Sequence, residues 1–367
     1  MYGYNYSSSS YSSKPHEYRP QDRDQPLDTV SHIIWDKFSR DPAFLAASWD
    51  GTVRYYTLKS GNNNSVEVDM AWSTFLQHPI LSIDLSSNHI IFAGLATGDI
   101  AAVKMETGEV ARVGSHEAPI CGVFWMPDKE CLMTLGFDNL IRFWQLNGSE
   151  RFDHEIKLPL KTHACAFDGH YLAVGSEDST FFITNLRNMP NSHFPNNPND
   201  YTVKDLRRFS KFTCCSILGE KGRVSFGTVD GRSLHLEFRE NSNGIQILDE
   251  MVSVSQKMSD SKGKSIYGQV NCIDLGCYKY DPFVMTGGSD DLRGGNLYKK
   301  SAMHPISSTT SSVGATTAVR LSPDLDFVAF ATGCDWLKGL HELDTMKRPR
   351  IAVVKMTSQD LKDLTIH

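Results

Sequence analysis

Apolar and polar residues alternate in short runs along this chain, and each run is interrupted by a tight turn. The clearest example is Phe44–Leu58, in which an apolar run reaches the turn Ser48–Gly51 and an alternating segment follows. The Asp50-Gly51 pair suits the positive φ angles of a tight reversal. This stretch therefore predicts a β-hairpin.

The same pattern returns six times, 40 to 61 residues apart. The six further copies are Ile90–Met105, Cys131–Leu146, Tyr171–Leu186, Arg223–Phe238, Phe283–Tyr298 and Phe327–Leu343. A period near ~40–45 residues with four strands per unit is typical of WD-repeat propeller blades. The pattern predicts an all-β fold, a seven-bladed WD-repeat β-propeller.

The third copy carries a complete set of polar residues for one blade. His116, Thr134, Asp138 and Trp144 occupy the loop, strand, turn and strand slots that are hydrogen bonded in WD blades. Buried polar groups of this kind must be paired, so the tetrad should pin the turn to the next strand. Other copies keep only parts of it, such as Asp178 without an aromatic residue in the slot that Trp144 occupies.

The chain divides into three parts on composition. Residues 1–29 are rich in Tyr, Ser and charge and are expected to be a disordered tail. Residues 30–357 form the propeller, with a mobile insertion expected at 240–265. Residues 358–367 are a C-terminal tail with a short helix. Either the strand at 347–356 or residues near Leu27–Val30 should close the ring, because an open propeller exposes a strand edge.

Charge and cysteine content narrow the class of protein. The net charge of −6 does not favour a nucleic-acid binder, so any phosphate contact would need a local basic patch. The eight cysteines form no CxxC pair, which favours reduced thiols of a cytosolic or nuclear protein. The chain shows no signal peptide and no long apolar run, so we expect it to be neither secreted nor membrane-spanning.

Motifs of catalysis are absent from the sequence. It contains no phosphate-binding loop, no nucleophile elbow and no zinc-binding helix, and its 13 histidines show no ligand spacing. The paired carboxylates of Gly287–Asp291 occupy an ordinary blade turn. We predict that the protein is not an enzyme and has no catalytic residues, metal site or cofactor.

Binding is the better interpretation, and the turn positions provide its candidates. In WD propellers the turns that carry the aspartates lie together on one rim of the ring, here called the top rim. Trp49 and Phe137 directly precede turn aspartates, so both should stand on this rim, unless they pack against neighbouring blades. Arg232 follows the Asp230-Gly231 turn and suits a partner carboxylate, or is simply solvated. A basic run could contact RNA or an acidic partner: Lys204, Arg207, Arg208 and Lys211.

Several segments resemble the mRNA-export WD-repeat factors of the nuclear pore, the Rae-one/Gle-two family. The similar segments are AASWDGTVRYY, SHEAPICGVFW, LGFDNLIRFW, TVDGRSLHLEF, IYGQVNCIDL and CDWLKGLHEL. They run in order over residues 30–345. The last is the most specific, because the related spindle-checkpoint proteins of the Bub-three type lack it.

The resemblance implies a non-catalytic adaptor of the nuclear pore and nucleus, some of it cytoplasmic. Its partner would be a Phe-Gly nucleoporin, bound through a GLEBS-like segment. Trp49 and Arg232 match peptide-contacting positions of the family, and Lys338 matches a retained basic position. The resemblance also implies weak contact with mRNA, and a monomeric propeller within a larger complex. The alternative is a mitotic spindle-checkpoint adaptor that binds GLEBS-like segments of checkpoint kinases.

Overall fold

The computed structural model describes residues 17–366, except 62–64, 147–151, 188–200, 206–209, 243, 255–256, 260–263, 290–291, 298–303, 306–313 and 335–347. Within these residues the strands form seven antiparallel sheets of four strands, here called blades 1 to 7. The first strands of the seven blades contact one another in a closed circle, which makes the fold a seven-bladed β-propeller.

The strands are numbered in chain order from β1 (Glu17–Tyr18), which belongs to blade 7. Blades 1 and 2 consist of β2 (Val30–Trp35), β3 (Ala43–Ser48), β4 (Thr52–Ser60), β5 (Val66–Phe75), β6 (Ile80–Leu85), β7 (Ile90–Leu95), β8 (Asp99–Lys104) and β9 (Val110–Ser115). Blades 3 and 4 consist of β10 (Ile120–Met126), β11 (Cys131–Gly136), β12 (Leu140–Gln145), β13 (Phe152–Lys157), β14 (Thr162–Phe167), β15 (Tyr171–Ser176), β16 (Thr180–Asn185) and β17 (Tyr201–Asp205).

Blade 5 is followed by an extra two-stranded hairpin, and blade 7 is completed by β1. Blade 5 and this hairpin consist of β18 (Phe212–Leu218), β19 (Arg223–Thr228), β20 (Arg232–Asn241), β21 (Gly244–Val254), β22 (Lys257–Ser259) and β23 (Ser265–Tyr267). Blades 6 and 7 add β24 (Val270–Tyr278), β25 (Asp281–Gly288), β26 (Arg293–Asn296), β27 (His304–Pro305), β28 (Ala315–Leu321), β29 (Phe327–Gly333) and β30 (Arg350–Lys355), before helix α1 (Ser358–Ile366).

Two sequence-based boundaries inside the ring are wrong. Residues 240–265 were expected to be a mobile insertion, but they contain β21 and β22, because β20 and β21 pair along their whole length. The seventh copy was expected to be a hairpin within Phe327–Leu343. Its second strand is instead β30, whose Lys355 lies opposite Phe327.

The N-terminal boundary also needs correction. Residues 1–16 lie outside the described residues, but 17–29 are ordered rather than part of a disordered tail. This segment has few apolar residues to bury, but its backbone pairs with blade 7, where Glu17 and Tyr18 lie opposite Val354 and Val353. The ring is therefore closed by β1 on the outer edge of β30, and not by residues near Leu27–Val30.

Helix α1 compensates for a weak blade 6. Strand β26 contributes Gly294 and Gly295, which have no side chains to pack. The helix lies against β24, β25 and β26, and it buries Leu361 and Leu364 in the core that contains Phe283. The predicted C-terminal helix is thus present, but it is part of the propeller core rather than a tail.

Every inner strand has a β-bulge near its start, at the second residue in blades 1 to 6 and at the third in blade 7, and all seven bulged residues line a central channel of about 310 Å³. They are Ser31, Leu81, Cys121, His163, Thr213, Asn271 and Thr317. Some reach the next blade: the Thr213 hydroxyl donates to the Val270 carbonyl at 2.5 Å, and the Asn271 amide donates to the Thr316 carbonyl at 3.1 Å. A bulge turns a side chain out of the ladder, which allows these links between blades.

Candidate functional site

The blade 3 tetrad forms the chain of hydrogen bonds that its spacing predicts. Trp144 Nε1 donates to Thr134 Oγ1 at 2.8 Å. Thr134 Oγ1 lies 2.9 Å from His116 Nε2, and His116 Nδ1 lies 3.0 Å from both oxygens of Asp138. Because a carboxylate can only accept, His116 donates to Asp138 from Nδ1, and in the neutral ring Nε2 then accepts from the Thr134 hydroxyl, which itself accepts from the indole.

Asp138 fixes the blade 3 turn, because its carboxylate accepts hydrogen bonds from His116 and from two backbone amides. Burial favours a higher pKa for Asp138, but hydrogen bonds from His116 and from the Leu140 and Glu117 amides outweigh it and lower the pKa. Asp138 is thus stabilised in its ionised form. The turn it anchors places Phe137 on the rim, where that side chain is 39% exposed.

Blade 1 stabilises its turn in a different way. Pro26 occupies the position that corresponds to His116, and Arg54 forms the ion pair with the turn aspartate, Nη2 to Asp50 Oδ2 at 3.1 Å. The Leu27 amide donates to the same oxygen at 2.9 Å. Burial favours a higher pKa for Asp50, but bonds from Thr52 and Leu27 and the charge of Arg54 lower it.

Trp49, at the tip of this turn, is 43% exposed and has two exposed apolar neighbours. Leu27 is 81% exposed and is bonded to the turn through its amide, and Phe75 is 61% exposed. The Phe75 ring lies 3.2 Å from where a Cβ on Gly51 would stand. Sequence reasoning missed Leu27 and Phe75, although Phe75 ends an alternating strand at the same rim. Exposed apolar side chains thus lie at the tip of this turn and beside it.

Phe137 has a histidine as its neighbour across the blade boundary. Its ring centre lies 5.8 Å from that of His163, one of the bulged residues at the channel. Burial and the nearby Lys211 lower the pKa of His163, which favours the neutral ring. The Phe137 ring therefore packs on His163 and remains 39% exposed on the rim.

Arg232 is engaged within its own turn. Its Nε and Nη2 atoms donate to Asp230 Oδ2 at 2.9 and 2.5 Å, and its side chain is 31% exposed. A carboxylate of a partner would share this guanidinium with Asp230 or displace it. Trp49, Phe137 and Arg232 thus share one rim but lie on blades 1, 3 and 5, so a ligand that contacts all three must be extended.

The predicted basic positions are described only in part. Lys211 lies 3.8 Å from Glu177, which offsets its charge. Lys204 lies in β17, of which the backbone alone is described. Lys338, Arg207 and Arg208 lie outside the described residues.

Within the described part of the chain, no group of three His, Cys, Asp or Glu side chains is arranged to hold a metal ion. No described helix is long and apolar enough to span a membrane.

The closed ring and the blade 3 tetrad define a WD-repeat β-propeller. A family model for the WD domain, G-beta repeat, matches residues 108–145, which contain the whole tetrad. The chain is similar in fold to the solved structures of U3-55K and of the RRP9 WD40 repeats, each with a TM-score of 0.67 and 12% identity. They cover 90% and 93% of this chain, and 96% and 100% of their own.

Curated relatives confirm the resemblance to the mRNA-export family, close to the Bub3 type. The mRNA export factor rae-1 of Caenorhabditis elegans is 25% identical, covering 92% of this chain and 88% of the relative. Protein Rae1 of Drosophila melanogaster is 22% identical, with 89% and 90% covered. The mitotic checkpoint protein bub3 of Dictyostelium discoideum is 23% identical, with 72% and 74% covered.

Proposed function

We propose that this propeller is a non-catalytic adaptor of the nuclear pore in mRNA export, and that it captures a GLEBS-like segment of a Phe-Gly nucleoporin. The observation that carries this proposal is the similarity to an mRNA export factor over 92% of the chain, which spans all seven blades. The fold alone supports no choice of function, because propellers serve many.

The top rim supports a peptide ligand. Its exposed apolar side chains, Trp49 with Leu27 and Phe75 on blade 1 and Phe137 on blade 3, suit the apolar residues of an extended segment. Partly exposed aromatic residues of this kind often act as interface hot spots, each contributing roughly 1–3 kcal/mol to binding. Arg232, on blade 5, would contact an acidic residue of the same segment.

Contact with mRNA is proposed to be weak or to depend on the partner. The net charge is −6, and Lys211 is already paired with Glu177. Affinity for nucleic acid depends chiefly on cations that contact phosphates, so this surface offers little of it.

A second candidate function is a mitotic-checkpoint adaptor that uses the same rim to bind GLEBS-like segments of checkpoint kinases. The similarity to the checkpoint protein bub3 supports it. The segment Asp335–Gly339, which resembles the export family alone, favours the nuclear pore.

Affinity capture from nuclear extract tests the proposal. We expect the wild type to retain a Phe-Gly nucleoporin and the double variant Trp49→Ala/Arg232→Glu to lose it. Tyr280→Ala is the matched control, since Tyr280 is 87% exposed in the β24–β25 turn at the opposite end of the ring. Recovery of checkpoint kinases without a nucleoporin would support the second candidate. Retention of the nucleoporin by the double variant would show that the rim site is wrong.

A further inference from the structure

Residues 17–29, here called the strap, connect the last blade to the first. At one end, β1 pairs with Val353 and Val354 of β30 and leaves the upper part of that edge uncovered. There the Gln25 side chain takes the place of a strand. Its Oε1 accepts from the Ile351 amide at 2.7 Å, and its Nε2 donates to the Ile351 carbonyl at 3.3 Å.

At its other end the strap holds the turn that carries Trp49. The Leu27 amide donates to Asp50 Oδ2 at 2.9 Å, and the Ser48 hydroxyl donates to the Asp28 carbonyl at 2.9 Å. The Tyr56 hydroxyl, in the slot of the tetrad tryptophan, donates to the Asp24 carbonyl at 2.7 Å. Tyr56 of blade 1 therefore bonds to the strap, whereas Trp144 of blade 3 bonds to Thr134 of its own blade.

The inner strands of blades 7 and 1 are joined independently of the strap. Trp35 Nε1 donates to the Arg320 carbonyl at 3.0 Å, and Arg320 Nε donates to the Ile33 carbonyl at 3.3 Å. Loss of the Gln25 contacts should therefore open the outer part of this boundary and leave the ring folded.

We propose that the strap is a latch that couples closure of the ring at Ile351 to the position of the Trp49 turn, with Gln25 as its positioning residue. The consequence for binding rests on the proposed function: a peptide bound over Trp49 stabilises the latched state and so tightens closure at blade 7. Thermodynamic linkage makes this coupling reciprocal.

Hydrogen–deuterium exchange of the full chain, without partner, tests the coupling. Gln25→Ala should speed amide exchange about tenfold in 348–356 and also in the distant turn 48–54, because three buried hydrogen bonds are lost, two to Ile351 and one to the Pro20 carbonyl. Gln21→Ala is the matched control, since Gln21 is exposed on the same strap and its side chain caps nothing. Faster exchange confined to 348–356, or none, would overturn the proposal.

The reverse experiment keeps the test valid if Gln25→Ala does not fold. Leu27→Pro removes the amide that holds Asp50, while Leu27→Ala keeps it and alters the same exposed side chain. The proline variant alone should speed exchange at 348–356, and equal behaviour of the two would overturn the latch.

A GLEBS-like peptide should bind Gln25→Ala about tenfold more weakly than Gln21→Ala. Equal binding by the two variants would show that the latch does not affect the peptide site. A peptide that binds neither variant nor the wild type would count against the proposed function, and the exchange result would still test the latch.

Discussion

Arg54 and Asp50 form an ion pair of 3.1 Å in the blade 1 turn, and their side chains are only 10% and 9% exposed. Replacing Arg54 with Met would leave a carboxylate without its cation in a site with little water. We expect the free energy of unfolding to fall by about 3 kcal/mol, as measured by urea denaturation.

A surface pair in blade 2 provides the control. Arg112 and Asp99 also lie 3.0 Å apart, but their side chains are 48% and 37% exposed. Arg112→Met should therefore cost less than about 1 kcal/mol. Equal losses for the two variants would contradict the role assigned to the Arg54–Asp50 pair.

Thr134 and Thr286 occupy the same slot in blades 3 and 6 but have different surroundings. Thr134→Val would remove the hydrogen bonds that Thr134 Oγ1 makes with Trp144 Nε1 and His116 Nε2, so we expect a loss of about 2–4 kcal/mol of unfolding free energy. Thr286 Oγ1 is buried and has no hydrogen-bond partner among the described residues. Thr286→Val should therefore be neutral or stabilising when both variants are compared by thermal denaturation, and a large loss of stability for Thr286→Val would contradict this expectation.

Stability should depend on pH through Asp138. Its folded pKa is lower than its ordinary value, so the unfolded chain binds more protons between the two pKa values. The contribution of Asp138 is then fully present above about pH 4–5 and is lost as the pH falls through the folded pKa. The stability difference between wild type and Asp138→Asn should shrink as unfolding is measured from neutral pH towards pH ~3. A difference that stays constant would contradict this sign.

The C-terminal helix should be required for blade 6. Leu361→Ala removes a buried side chain from the core shared with Phe283, and we expect a loss of about 2–4 kcal/mol. Lys362, the next residue, is exposed, and Lys362→Ala should change stability by less than about 0.5 kcal/mol. Thermal denaturation of both variants compares them directly, and equal stabilities would mean that α1 does not support the blade.

The repeat and the blade 3 tetrad could be predicted because their signals are local. His116 and Trp144 lie within 29 consecutive residues, and the turn between them has a fixed spacing. Closure could not be predicted in this way. Gln25 bonds to Ile351 across 326 positions, and a side-chain amide that replaces a strand leaves no periodic pattern. The composition of residues 17–29 therefore suggested disorder where long-range pairing gives order.

The rim residues were predictable in position but not in environment. The place of Trp49 before a turn aspartate indicates its location on the rim, whereas the exposed Leu27 and Phe75 beside the same turn come from separate segments. The charge of Arg232 suggested a partner carboxylate, but Asp230, two residues earlier, already binds it. Such pairing depends on rotamers, which a pattern of residue types does not determine.

Site-specific photo-crosslinking tests whether the top rim captures a nucleoporin. A benzophenone amino acid is placed at Trp49 in one variant and at Tyr280, at the opposite end of the ring, in another, and each is irradiated in nuclear extract. We expect a Phe-Gly nucleoporin to be crosslinked from position 49 and not from position 280. A nucleoporin crosslinked from position 280 alone would contradict capture of the peptide on the top rim.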